Sequence, residues 1–232
     1  MEIGAAINNH VEIGGITYNI GSVLHDKLAQ TILRTPIALK DCTYDVQNNP
    51  YYVNLACVID GMMLEFASPD VKKLFPTVDL ACLSNPHALK FAGSSIRENI
   101  DLVKDLVEED PGSFKYASTS LRNKKTLACI AIQNDPHSLR WAGDRVTSSR
   151  KLAKLALSKD GTALKHVCLG LQSDPDIVIT AIETCPDAFQ YAKGSAREDP
   201  NVLQTLATVT EAMPMQDFGQ LSYGDKVKGV NI

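Results

Sequence analysis

Apolar side chains return along this chain in columns that keep one period. Leu64, Leu89, Phe114, Leu139, Leu164 and Phe189 stand 25 residues apart. Two places later come Phe66, Phe91, Tyr116, Trp141, His166 and Tyr191, and directly after these Ala67, Ala92, Ala117, Ala142, Val167 and Ala192. No insertion interrupts the series. A fixed period in this range is the mark of a repeat architecture. A second set fills the other half of each unit: Val53, Val78, Val103, Ala128, Ala153 and Val178, then Ala56, Ala81, Leu106, Ala131, Ala156 and Ala181 three places on. Cys57, Cys82, Val107, Ile132, Leu157 and Ile182 follow at once. Spacings of three and four put these on one face of a helix.

The polar punctuation is equally regular. Asp110-Pro111 and Asp135-Pro136 each supply a capping acceptor and then Pro at the first helical position, where its missing N–H costs nothing. Asn85-Pro86 and Thr35-Pro36 repeat the device, while Asp60 and Asp160 precede Gly. Asn49, Asn99, Ser149, Asp174 and Asp199 hold the matching cap position before the other helix. Each unit is therefore expected to be a helix of about ten residues, a tight turn and a second helix of about seven or eight, partly 3-10 in so short a repeat. One unit cannot bury its apolar face alone, so stacked neighbours must build a shared core. The fold expected is an all-α solenoid of seven 25-residue, two-helix units. It starts with the degenerate copy Pro36–Cys42, and the repeat region spans 26–212, where an eighth first helix ends.

With these columns in view, the chain resembles a family of tandem helical repeats known only as a domain of unknown function. The matching pieces are Ala88–Ala92, Tyr116–Ser118, Leu121–Asn123 and Ala188–Ala192. The resemblance implies a helical-repeat fold and a setting in large proteins of intracellular bacteria and protists, some of them host-directed effectors. It carries no catalytic residues to transfer. His166 in the aromatic column, Cys185 in a cap column and Asp41 in the first copy depart from the pattern.

Residues 1–25 break the period. Val11–Ile20 holds two β-prone runs around Gly14-Gly15, which predicts a hairpin acting as an N-terminal cap. Residues 213–232 open near Pro214, are rich in Gly, and form a C-terminal cap or a tail. The chain is a candidate fragment of a longer protein.

Composition narrows the function classes. A net charge of −4 gives no general attraction to nucleic acid or anionic membranes. No apolar run is long enough to span a bilayer, and the N-terminus lacks the basic and apolar regions of a Sec signal. The six cysteines form no C-x-x-C pair, which points to reduced thiols in a cytoplasm-like compartment, and the resemblance implies as the alternative delivery into a host cell by a dedicated secretion system. Phosphate-loop and zinc-protease motifs are missing, so no cofactor or metal is expected. Cys57 and Cys82 occupy a packing column, Cys129 falls on an outer helix face, and Cys168 diverges from nearby His166. Cys185 alone stands at a helix start, with no repeated base beside it, so no catalytic role is assigned.

The aromatic column is expected in the wedge between helices, not as a set of base-stacking platforms. The residue before each aromatic reads Lys40, Glu65, Lys90, Lys115, Arg140, Lys165 and Gln190. This column is expected on the side of the second helix away from the Leu, aromatic and Ala face. His87 and His137, three residues before Lys90 and Arg140, share that side. Cations in the last turn of a helix favour its negative end, which accounts for the column without any ligand. Stacking would also align Lys90, Lys115, Arg140 and Lys165, with His87 and His137, into a basic ridge that binds a partner. A further basic column, Lys72, Arg97, Arg122 and Arg197, is expected as solvated charge in the loops between units. The function expected is a non-enzymatic protein-interaction module or scaffold whose partner has an acidic patch or an extended segment. The alternative is nucleic-acid or phosphoinositide binding through the same ridge.

Overall fold

The computed structural model describes residues 10–13, 16–19 and 26–212. Strands β1 (His10–Ile13) and β2 (Ile16–Asn19) pair antiparallel with Ile13 opposite Ile16, as the expected hairpin requires. The Gly14-Gly15 turn and the expected C-terminal cap or tail lie outside the described residues.

The rest is a helical solenoid. Eight long helices begin the successive units: α1 (Lys27–Arg34), α2 (Pro50–Ile59), α3 (Phe75–Ser84) and α4 (Ile100–Glu109), then α5 (Lys125–Asn134), α6 (Arg150–Leu157), α7 (Pro175–Thr184) and α8 (Pro200–Ala212). Asp26, Asn49, Asn99 and Asp174 accept hydrogen bonds from N–H groups of the first turn, as cap residues should. Ser149 holds the cap position without such a bond. All three apolar columns of the long helices are buried, from Val53, Ala56 and Cys57 to Val178, Ala181 and Ile182.

The second helix differs from expectation in kind and length. In each unit it is a six-residue 3-10 helix, such as Pro136–Trp141, and not a mixed helix of seven or eight. The cap explains why. Asp135 Oδ1 accepts from His137 N at 2.9 Å, Pro136 supplies a fixed φ, and Ala142 N donates to Leu139 O at 3.1 Å to close the last turn. A 3-10 helix eclipses residues three apart. Leu139 therefore stands under Ala142, Ser138 under Trp141, and His137 under Arg140. The first two columns face the core, and the third faces out.

A third element was not expected at all. After each 3-10 helix comes one short helical turn, such as Thr119–Arg122 or Asp144–Thr147. Five of the turns bury one apolar residue in the core, Val71, Ile96, Leu121, Val146 and Ala196, while Leu169–Gln172 buries Gln172 and Tyr44–Gln47 buries none. The turns also tie the units together. Gly93 N donates to Lys72 O at 2.8 Å, Ser118 N to Arg97 O at 2.9 Å, and Gly143 N to Arg122 O at 3.0 Å, with equivalent bonds in neighbouring units.

Successive 3-10 helices pack on one another along the whole series. Among the long helices, α1 packs on α2 and α2 on α3, and α4 to α8 pack each on the next. The result is one elongated core. Its tightest points are Gly61 and Gly161, the two units that start their 3-10 helix without Pro. A Cβ on Gly161 would stand 2.1 Å from the carbonyl oxygen of Ala181 in the next unit. Gly161→Ala is thus expected to force the backbones apart and cost about 2–3 kcal/mol in urea denaturation. A change below about 0.5 kcal/mol would mean that units 6 and 7 are not in register.

Candidate functional site

The outward column of the 3-10 helices carries the charge. Lys90, Arg140 and Lys165 are exposed and Lys115 is half-buried. Their position departs from expectation in one respect. The residues lie on the outer side of the helix, but their flexible stems bring the cations back over the aromatic rings. Lys90 Nζ stands 4.4 Å from the centre of Phe91, and Arg140 Cζ 4.0 Å from that of Trp141. Lys115 Nζ lies 4.6 Å from Tyr116 and 5.7 Å from Trp141 in the next unit, and Lys165 Nζ 5.9 Å from Tyr191. The rings attract them because they are half-buried and keep part of an electron-rich face in reach. The aromatic column is therefore the rim of the core and not its centre, which Leu89, Phe114, Leu139 and Leu164 occupy.

His87 and His137 join one unit to the next. His87 Nε2 lies 2.5 Å from Asp110 Oδ2, and its ring meets Tyr116 edge-on with centroids 5.5 Å apart. Two units on, His137 Nε2 lies 2.8 Å from Asp160 Oδ2 and its ring meets His166 at 5.5 Å. In both cases the other carboxylate oxygen caps the 3-10 helix of its own unit, accepting from Gly112 N or Thr162 N. The recurrence of His followed 23 residues later by Asp was present in the sequence as a signal for this link. Burial works to raise the Asp160 carboxyl, but hydrogen bonds from Thr162 and His137 outweigh it and hold the group below its ordinary value.

His166 takes the place of a ring residue and lacks a partner for its buried Nε2. Burial, then the charges of Lys165, His137 and Arg140, pull it down to about 4.

The second basic column also departs from expectation. Lys72, Arg97 and Arg122 are half-buried in the short turns, and two of them close open carbonyls: Lys72 Nζ donates to Glu65 O at 2.6 Å and Arg122 Nη1 to Trp141 O at 2.9 Å. Gln172 does the same for Leu164 and Val167. Only Arg197 is exposed, with its guanidinium 5.6 Å from the centre of Phe189.

All six cysteines are free. Burial pushes the Cys57 and Cys82 thiols up to about 12, which suits packing and opposes nucleophilic use. Cys185 caps no helix through its side chain. Among the described residues, no group of three or more His, Cys, Asp or Glu is placed to hold a metal ion, and no helix is long and apolar enough to cross a membrane. A shallow trough between α5 and α6 is lined by Cys129, Leu152 and Leu155.

A tandem helical array with an outward cationic row defines the chain as a repeat-type helical solenoid. Its lineage follows from the sequence: the domain of unknown function DUF4116 matches at residues 77–122, 99–147 and 149–194, and the chain belongs to this family. Each match spans about two structural units, so the family's domain is a pair of them. Residues 26–74 lie outside the matches yet build the same units. No curated protein and no solved structure matches the chain.

Two outcomes are expected. Phe114→Ala, which empties a fully buried site, should cost about 4 kcal/mol, and Trp141→Ala, at the rim, about 2 kcal/mol. Equal losses in denaturant titrations would place both rings at the same depth. His166 gives a pH test. The unfolded imidazole protonates near 6.5 and the folded one near 4, so stability is complete above about 6.5 and falls as pH drops towards 4. His166→Tyr, the residue of units 4 and 7, should flatten that decline in the urea midpoint. Parallel pH profiles for the two proteins would refute it.

Proposed function

We propose that this solenoid is a non-enzymatic protein-interaction module whose binding surface is the row Lys90, Lys115, Arg140 and Lys165, with an acidic segment of another protein as its partner. The observation that carries this reading is the cation–ring packing. A free Lys or Arg side chain holds about 2 kcal/mol of rotamer entropy, which a ligand must overcome to order it. Here each cation already stands within about 6 Å of a ring centre, so the row is partly preorganised. Helix polarity explains why a cation is tolerated at the end of a 3-10 helix. It does not require one at four successive units while units 2 and 7 carry Glu65 and Gln190. His87 and His137 tie unit 3 to unit 4 and unit 5 to unit 6 within the row.

The same cations would hold phosphates, which keeps nucleic acid or a phosphoinositide headgroup as the competing reading. Against base stacking stands the coverage of the ring faces by the protein's own cations. The free thiols suit a reducing, cytoplasm-like compartment. In the effector setting that the family resemblance implies, the partner is a host protein met after delivery.

Joint replacement Lys90→Glu, Lys115→Glu and Arg140→Glu should abolish capture of the partner from cell lysate while leaving the helical circular-dichroism spectrum in place. Capture that survives the triple replacement would remove the row as the binding surface. Recovery of nucleic acid with the wild type, and a steep fall of affinity with salt, would favour the competing reading.

A further inference from the structure

The row has a repeat distance, and that distance selects among acidic partners. Helices that pack side by side stand about 8–10 Å apart, so the backbone positions of the row recur at about that step and the flexible stems reach from there. Lys115, in reach of its own ring and of the ring in the next unit, shows the rungs to be in contact. A β-strand rises about 3.3 Å per residue with side chains alternating between faces. Two residues of strand fall short of the step, and the third points the wrong way. A polyproline-II segment rises about 3.1 Å per residue with three residues per turn, so every third side chain returns to the same side about 9 Å on.

We infer that the row recognises a polyproline-II segment with a carboxylate at every third position, which rests on the row being the binding surface. Such a segment enters already extended and loses little backbone entropy on binding, as proline-rich ligands of aromatic-lined grooves do. Its carboxylates meet Lys90, Lys115, Arg140 and Lys165 in turn.

The length of the partner follows from the ends of the row. In unit 2 the outward position is the exposed Glu65, and in unit 7 the outward column carries exposed Asp187 and neutral Gln190. An acidic segment running past either end meets a like charge. Four cations are separated by three steps, and at three residues per step the matched segment is about ten residues long.

The test uses the intact protein and two synthetic decapeptides of the same composition. One carries Glu at its first, fourth, seventh and tenth positions with Pro and Ala between; the other has the same residues with the four Glu adjacent. The spaced peptide should bind about tenfold tighter or more, because each engaged rung raises the local concentration of the next carboxylate. Equal affinity for the two would overturn the spacing while leaving an acidic partner in place. No binding of either peptide, with retention of a single-stranded oligonucleotide, would overturn both the spacing and the protein-partner reading. A gain-of-function variant guards against misfolding. Glu65→Lys adds a rung at an exposed position and should strengthen binding of a thirteen-residue peptide with five spaced Glu, without changing affinity for the spaced decapeptide. An unchanged affinity for the longer peptide would show that the rungs do not act in series.

Discussion

One backbone hydrogen bond per unit sets the geometry from which everything else follows. Ser68 N donates to Gln47 O, and the same bond recurs at Gly93, Ser118, Gly143, Cys168 and Lys193, always to the short turn of the preceding unit. Side-chain packing tolerates exchange of Val for Ala or Leu for Phe, as the columns themselves do. A main-chain bond between fixed positions does not tolerate a change in length. This explains why 25 residues recur without insertion while residue identities drift. It also explains the 3-10 helix: six residues in an α-helix would be shorter and would turn the Leu and aromatic columns out of line with the next unit.

The parts of the fold that were legible in the sequence are those that depend on residue identity at a period. The buried columns of the long helices, the capping residues and the stacking of units were all recoverable this way. That the second helix is 3-10 throughout, and not only in part, was not recoverable, because Pro136, Leu139 and Ala142 at spacings of three fit one face of either helix type over so short a run. The short turns were missed because none contributes more than one buried apolar residue. Yet Val71, Ile96, Leu121 and Val146 share the period and mark the element once all units are laid side by side. The basic column was legible as a row of charges. The folding of those charges onto rings was not, since neither periodicity nor composition reports the direction a long flexible stem takes. Lys72 and Arg122 were misjudged for a related reason: a cation in a loop reads as solvated until an open carbonyl is found beside it.

The core also carries features that packing alone would not select. Ser113 and Ser138 are fully buried in adjacent units where Ala88, Ala163 and Ala188 serve elsewhere, and neither hydroxyl has a hydrogen-bond partner. Each such group lowers stability relative to the Ala of its neighbours. Units 4 and 5, which hold them, also hold Lys115 and Arg140, the centre of the cationic row. The two central members of the row therefore sit in the copies with the less favourable packing residue, and the two outer members, Lys90 and Lys165, in copies that keep Ala88 and Ala163. A column that drifts away from its best packing residue is expected where small losses are absorbed by a long shared core.

Charge is distributed by the same logic. The protein is acidic in total, with Asp and Glu exceeding Lys and Arg, while Lys90, Lys115, Arg140 and Lys165 of units 3 to 6 share one outward column. Much of the acidic excess does structural work. Asp60, Asp110, Asp135 and Asp160 sit at caps, where their oxygens are held by backbone N–H groups and, at Asp110 and Asp160, by histidine. A carboxylate bound in this way offers less to a passing cation than its formal charge suggests. The scaffold of unit 2 is the same as that of unit 3, yet it presents Met62 and Glu65 where unit 3 presents His87 and Lys90. The charge of this face is thus set by two outward residues per unit, and its extent by how many consecutive units agree.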